Sequence, residues 1–255
     1  MESRRKVIPI LDLIAQAESL NSSGAFEEAY KLANQASRRK LNRTDLMKRL
    51  AEIYRTQRKQ IPAIRLLQKA IQLDPADFTV HEDLLRILLD SNRFGDAIDV
   101  CERLIAIFPK HIIARDVLGI SYMQMGFIDK ALRVTDELIR LDPTSAHHHF
   151  KKAVLLQQKG AIAPAMASFL RVMDMNFDAE ITDEARDAIE MLDKYQLKQI
   201  LTIASGDCIF RAKLVLDPIS ASQEKGFILS HNGMSILAHL DLNSVPKETR
   251  TIYYS

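Results

Sequence analysis

The sequence predicts an all-α chain of stacked helical hairpins, and three observations predict it. Prolines that close a short tail recur at a constant step: Leu73-Asp74-Pro75, Phe108-Pro109 and Leu141-Asp142-Pro143 place them 34 residues apart. Alanines keep that step at Ala29, Ala63, Ala97, Ala131 and Ala165. Turn formers are scarce, with eight glycines and eight prolines in 255 residues, as long helices require.

The register fixes five units without insertion: 10–43, 44–77, 78–111, 112–145 and 146–179. Residues 1–9 form a lead-in. The first half of each unit is a helix with an apolar stripe, in the fourth unit Val117, Leu118, Tyr122 and Met125. A turn is expected near Gly24, Arg58, Arg93, Gly126 and Gly160. The second helix carries the small alanine where the two helices come closest. Two further inward positions run in step: Ala33, Leu67, Cys101, Thr135 and Phe169, then Ala36, Ala70, Leu104, Leu138 and Val172. The closing proline cannot continue a helix and so ends the unit. One hairpin cannot bury its apolar face alone, so neighbours must stack.

The 34-residue length and the residues Leu118-Gly119, Tyr122, Gly126, Ala131 and Pro143 resemble the tetratricopeptide repeat. The resemblance covers about two thirds of the chain. It implies a right-handed α–α superhelix, a tetratricopeptide-repeat solenoid with a concave groove, and a non-enzymatic scaffold or adaptor for a protein or peptide partner. The position that holds tryptophan in the family pattern has Leu13, Met47, His81, Arg115 and His149 here. The first and fifth units have Leu41 and Phe177 in place of the closing proline.

The resemblance also places groove residues on the first helix of each unit. They are Asp45, Lys48, Glu52, Arg55 and Thr56, then Thr79, Glu82, Arg86, Leu89 and Asp90. The fourth unit gives Ile113, Asp116, Ile120, Met123 and Gln124, and the fifth His147, Phe150, Val154, Gln157 and Gln158. The early groove is charged and the late groove largely apolar. The apolar part either receives a partner segment or is covered by this chain's own C-terminal module, residues 206–255. A carboxylate clamp of the kind some family members carry is not expected. Lys48 fits it, but Glu52, Asp83, Ile113 and Val117 stand where its other members belong.

Beyond Ala179 the period stops. Two helical stretches, Glu180–Gln196 and Leu197–Ala204, are read as capping helices (180–205), with Ala188, Ile189, Met191 and Leu192 on the apolar face. Residues 206–255 form a small module, for which helices are preferred. Asp207 caps a first helix through Leu216. Asp217 caps a second, with Pro218 at its first position and Gly226 past its end. Ser230 caps a third bearing Met234, Leu237 and Leu240. The competing reading makes His231-Asn232-Gly233 a hairpin turn between strands. Phe210, Arg211, Leu214, Asp217, Pro218 and Gly226 resemble the small helical leader modules of some ribosomal peptide natural products. That resemblance implies an accessory role in peptide processing. Tyr253 and Tyr254 end the chain as a loose tail.

Few residues suggest catalysis. There is no phosphate loop, nucleophile elbow or zinc-protease motif. His147, His148 and His149 point about 100° apart on a helix and cannot share one metal. Cys101 reads as core, and Cys208 is unassigned. No enzyme activity, cofactor or metal is expected. No run of about 20 apolar residues predicts a membrane span, and two cysteines make no disulfide framework; a cytoplasmic protein is expected.

Charge is unevenly placed although the net is only +2. Residues 38–69 hold eleven basic and two acidic residues, a net of +9, and residues 174–193 have a net of −7. The basic stretch, with Arg38, Arg39, Lys40, Arg43, Arg49, Arg58 and Lys59, is either a solvated face or the site of an acidic protein or a nucleic acid. Few aromatic residues interleave it, which disfavours RNA. Opposite charge at the two ends also permits self-association.

Overall fold

The structure, a computed structural model, describes residues 8–175 and 179–240. Residues 1–7 of the lead-in, Phe177, and the tail with Tyr253 and Tyr254 lie outside the described residues. Every element among the described residues is a helix. The chain divides into two compact units, 1–127 and 128–255. The division falls at the turn inside the fourth repeat rather than at a repeat boundary.

The first unit begins with α1 (Ile10–Ser22), paired with α2 (Phe26–Ser37). Next come α3 (Thr44–Thr56) with α4 (Gln60–Leu73), α5 (Phe78–Asp90) with α6 (Phe94–Ile107), and then α7 (Ile112–Gln124). The odd-numbered helices also touch each other in series, α1 on α3, α3 on α5 and α5 on α7. That series lines up the faces predicted to form the groove.

The repeat register is physically exact at its inward positions. Ala29, Ala63, Ala97, Ala131 and Ala165 are completely buried, as are Ala33, Leu67, Cys101 and Phe169. The turn register needs one correction. The left-handed residues are Gly24 (φ 83°), Arg58 (57°), Asn92 (54°), Gly126 (77°) and Gly160 (78°), each 34 after the last. In the third repeat this residue is therefore Asn92, and Arg93 is the N-cap of α6. Asparagine tolerates this backbone region better than most residues with a Cβ, which is why it serves there.

The tryptophan-type position is buried throughout. Leu13 and Met47 are apolar, and two repeats use histidine in the same way. His81 Nε2 lies 3.1 Å from the Pro75 carbonyl and His149 Nε2 3.2 Å from that of Pro143. Each ring N–H donates to the tail that closes the preceding repeat. His149 is buried. Burial pushes the His81 pKa below the usual imidazole value. Cys101 sits in the core as expected, and burial pushes its thiol up to about 12.

The second unit starts with α8 (Ile128–Leu141) and the hairpin of α9 (Ala146–Gln158) and α10 (Ile162–Met175). Next comes α11 (Ala179–Gly206), a single helix of 28 residues. The two capping stretches expected there are one rod, because no proline or glycine interrupts 180–205. Its first half closes the repeat core: Ile181, Ala185, Ala188, Ile189 and Leu192 pack with Phe169, Met166 and Val172. Met191 is not part of that face. It lies one residue, about 100°, from Leu192 and points to solvent.

The second half of α11 supports α12 (Cys208–Leu216), α13 (Pro218–Glu224) and α14 (His231–His239). These share a core of Leu197, Ile200, Ala204, Phe210, Leu214, Ala221, Leu229 and Leu237. The helical reading holds and the hairpin reading falls. Asp207 accepts from the Ile209 and Phe210 amides, Asp217 from Ser220, and Ser230 from Gly233. Each capping residue satisfies amides that a helix start leaves open.

Candidate functional site

The odd-numbered helices of the first unit enclose a cleft of about 550 Å³. Its walls are Glu18, Asn21 and Ser22 of α1, Lys48, Arg49, Glu52, Ile53 and Thr56 of α3, and Asp83 and Arg86 of α5. Because the repeat is 34 residues long, partners 31 to 36 apart join neighbouring repeats across this face. Arg49 grips Glu18 through two hydrogen bonds of 2.6 and 2.5 Å. Asn21 donates to Thr56 at 2.9 Å and accepts from Gln57 at 3.0 Å. Lys48 donates to the Thr79 hydroxyl at 2.6 Å. Arg55 holds Glu52 with bonds of 2.8 and 2.7 Å and reaches Asp90 at 3.6 Å. The Arg55 hydrogen bonds hold the Glu52 carboxyl below its usual range.

One group of charges is looser. Asp83 lies 3.6 Å from both Lys48 and Arg86, beyond hydrogen-bond contact. Arg86 is 57% exposed. Lys48 and Arg86 are therefore the cations of the cleft that share a carboxylate held only at 3.6 Å. Glu52 and Asp83 share the cleft with them, so a carboxylate arriving at Lys48 also meets two anions.

Farther along, Glu82 faces His111, with Oε1 3.3 Å from Nε2. His111 Nδ1 accepts from the Ala114 amide at 3.1 Å and caps α7. The proton of the neutral ring thus sits on Nε2, aimed at Glu82. On α7, Ile113 is exposed and Ile120 and Met123 are half-buried. In the second unit, Phe150 and Val154 pack against the core that α9, α10 and α11 share, and Gln157 is half-buried. Phe150 and Val154 are thus partly buried against this core, Phe150 with its ring edge-on to Phe169 of α10.

The basic residues do not gather on one face. Arg38, Arg39, Lys40 and Arg43 lie before α3, and Arg58 and Lys59 lie beyond its other end. Thirteen residues of helix separate the two groups by about 20 Å. Several are engaged locally: Arg43 with Asp45, Arg39 with the Ile8 carbonyl, Lys59 over the Tyr30 ring, and Arg49 inside the cleft.

Glu18, Asn21 and Ser22 were outside the sequence-based set. They stand 34 residues before Glu52, Arg55 and Thr56, so extending the register into the first repeat would have found them. A second set had no sequence signal. On α11, buried Asp193 accepts from the Ser230 amide at 3.0 Å and from its hydroxyl. One turn on, the Gln196 amide donates to the Ile228 carbonyl at 2.7 Å and accepts from the Ile228 amide at 3.0 Å. Gly233 allows this: a Cβ there would lie 2.5 Å from the Asp193 carboxyl carbon. The residues that resemble leader modules build the same structure. Phe210 and Leu214 fill the core, and Arg211 donates to the Ala204 and Ser205 carbonyls that end α11.

Among the described residues no group of three or more His, Cys, Asp or Glu side chains could hold a metal ion. No helix of the described residues is long and apolar enough to cross a membrane.

Tetratricopeptide-repeat profiles match residues 63–117 and 117–176. The tandem hairpins, their 34-residue register and these matches make the chain a tetratricopeptide-repeat protein. No curated protein matches it in sequence. Solved structures share the fold at low identity. MamA from Desulfovibrio magneticus RS-1 is 19% identical, with a TM-score of 0.54 over 67% of this chain and 97% of that one. Another MamA structure is 20% identical, with a TM-score of 0.56 over 65% and 91%. YrrB, described as a tetratricopeptide-repeat protein with an unusual peptide-binding site, is 17% identical, with a TM-score of 0.54 over 70% and 92%.

Proposed function

We propose that the chain is a non-enzymatic interaction scaffold whose first unit receives a segment of a protein partner on its concave face. The observation that carries this reading is the open cleft in which Lys48 and Arg86 share one loosely held carboxylate while the neighbouring charges are tightly paired. Tight pairs preserve the wall; the loose cations are available to a ligand. The partner segment carries a polar hydrogen-bond acceptor for Lys48 and Arg86 and an apolar residue for Ile120 and Met123 of α7. Peptide binding by YrrB is in keeping with this reading. The basic stretch 38–69 draws less support as a site for an acidic partner or nucleic acid, since Arg38, Arg39, Lys40 and Arg43 stand at one end of α3 and Arg58 and Lys59 at the other.

The test is capture of a displayed peptide library by the full chain. K48A/R86A and, separately, I120D/M123D should each lose the captured peptides while the helical circular-dichroism signal is retained. Capture unchanged by both variants would contradict the reading.

A further inference from the structure

The charged stretches contain two outward helix faces that complement each other, and neither lies on the concave side. On α4, Ile61, Arg65 and Lys69 occupy one stripe within about 80°. All three are exposed, and Ile61 is 61% so. On α11, Glu184, Asp187, Met191 and Tyr195 occupy one exposed stripe of similar width, centred about 100° around the helix from the side that closes the repeat core. Met191 is 59% and Tyr195 49% exposed. Other charges on α11 are already paired, Arg186 with Asp183 and Lys194 with Glu190. Arg65, Lys69, Glu184 and Asp187 carry no ion pair among the described residues.

We propose that α4 of one copy docks antiparallel on α11 of a second copy, so that the chain associates head to tail. Run antiparallel, the stripes set Lys69 against Glu184, Arg65 against Asp187 and Ile61 against Met191. The three contacts span about 12 Å on α4 and about 10 Å on α11, close enough for side chains to absorb the difference. A parallel arrangement fails, because it sets Ile61 against a carboxylate and Lys69 against Met191. A second copy is the occupant these surfaces fit, because one chain supplies both charge-complementary faces with an apolar residue at the matching end. Such a contact joins two different surfaces, so it is either made twice in a two-fold pair or continued from copy to copy. Exposed ion pairs and one apolar contact make it weak and sensitive to salt.

Sedimentation velocity of the full chain over a wide concentration range, at about 0.05 M and about 0.5 M salt, reads this directly. Association should appear at low salt and weaken roughly tenfold or more at high salt. R65E/K69E and E184K/D187K should each weaken it by roughly tenfold, with helicity unchanged. The chain carrying all four reversals should associate again, since its charges are complementary once more. A chain that stays monomeric at low salt, or association that persists in both two-residue variants, would overturn the proposal.

Discussion

The two units use the same repeat differently. In the first, neighbouring repeats are tied across the concave face by polar side chains: Arg49 to Glu18, Lys48 to Thr79, Arg55 to Asp90 and His111 to Glu82. In the second, α11 packs with α9 and α10 to end the repeat stack, and Phe150 and Val154 are partly buried against the shared core. A polar face keeps its shape while staying wet and open; an apolar face must be covered. The difference teaches that one 34-residue frame can yield a binding surface or a sealed end, depending on what stands at the outward positions of its first helix.

The comparison can be broken most sharply at the sealed end. Phe169→Ala removes a fully buried ring beneath α11 and should cost about 3–5 kcal/mol. Chemical denaturation should show this as a lowered midpoint, and a cost near zero would mean that α11 does not close the stack. The next effect lies at the seam below. Asp193→Ala leaves the Ser230 amide and hydroxyl without their acceptor and should cost about 1–3 kcal/mol. Gly233→Ala forces a methyl against the same carboxylate, at a cost of about 1–3 kcal/mol. In the double variant the second loss should largely vanish, because the clash and the lost acceptor share one atom group. Hydrogen exchange should place the loosening in α14.

The first unit should respond more weakly and through pH. The His81 pKa is depressed by burial, so the unfolded chain binds its proton more readily. Stability from the neutral ring is full above the ordinary imidazole value and is lost as pH falls below it, through the depressed value. His81→Leu should flatten the decline in melting temperature between about pH 7 and about pH 5. The smallest effect belongs to the ion pairs. Arg49→Ala should cost about 1 kcal/mol or less, because both partners are over one third exposed. For Glu52, held below its usual range by Arg55, the contribution is full above that range and lost as pH falls through the lowered value.

The sequence revealed the periodic part of the fold because each inward position is filled by a residue whose size the packing demands, as at Ala63 and Ala97. It revealed the caps of the last three helices because Asp207, Asp217 and Ser230 act on amides two or three residues away. It hid Asn92, since the expected turn was placed one residue late at Arg93. It hid the Asp193–Gln196 seam, because polar residues on a long helix read as surface and their partners are backbone atoms more than thirty residues away. The cleft is half legible: Lys48 and Arg86 follow from the repeat register, whereas Arg49 reads as part of a basic face although Glu18 draws it inward.

The central claim is that the open polar face of the first unit, not the sealed second unit, holds the partner. Isothermal titration of a captured peptide into the full chain and its variants tests this most directly. Affinity should fall at least about tenfold in K48A/R86A and remain unchanged in D193A, which loosens only the seam. Equal affinity in K48A/R86A and the unaltered chain, or loss confined to D193A, would contradict it.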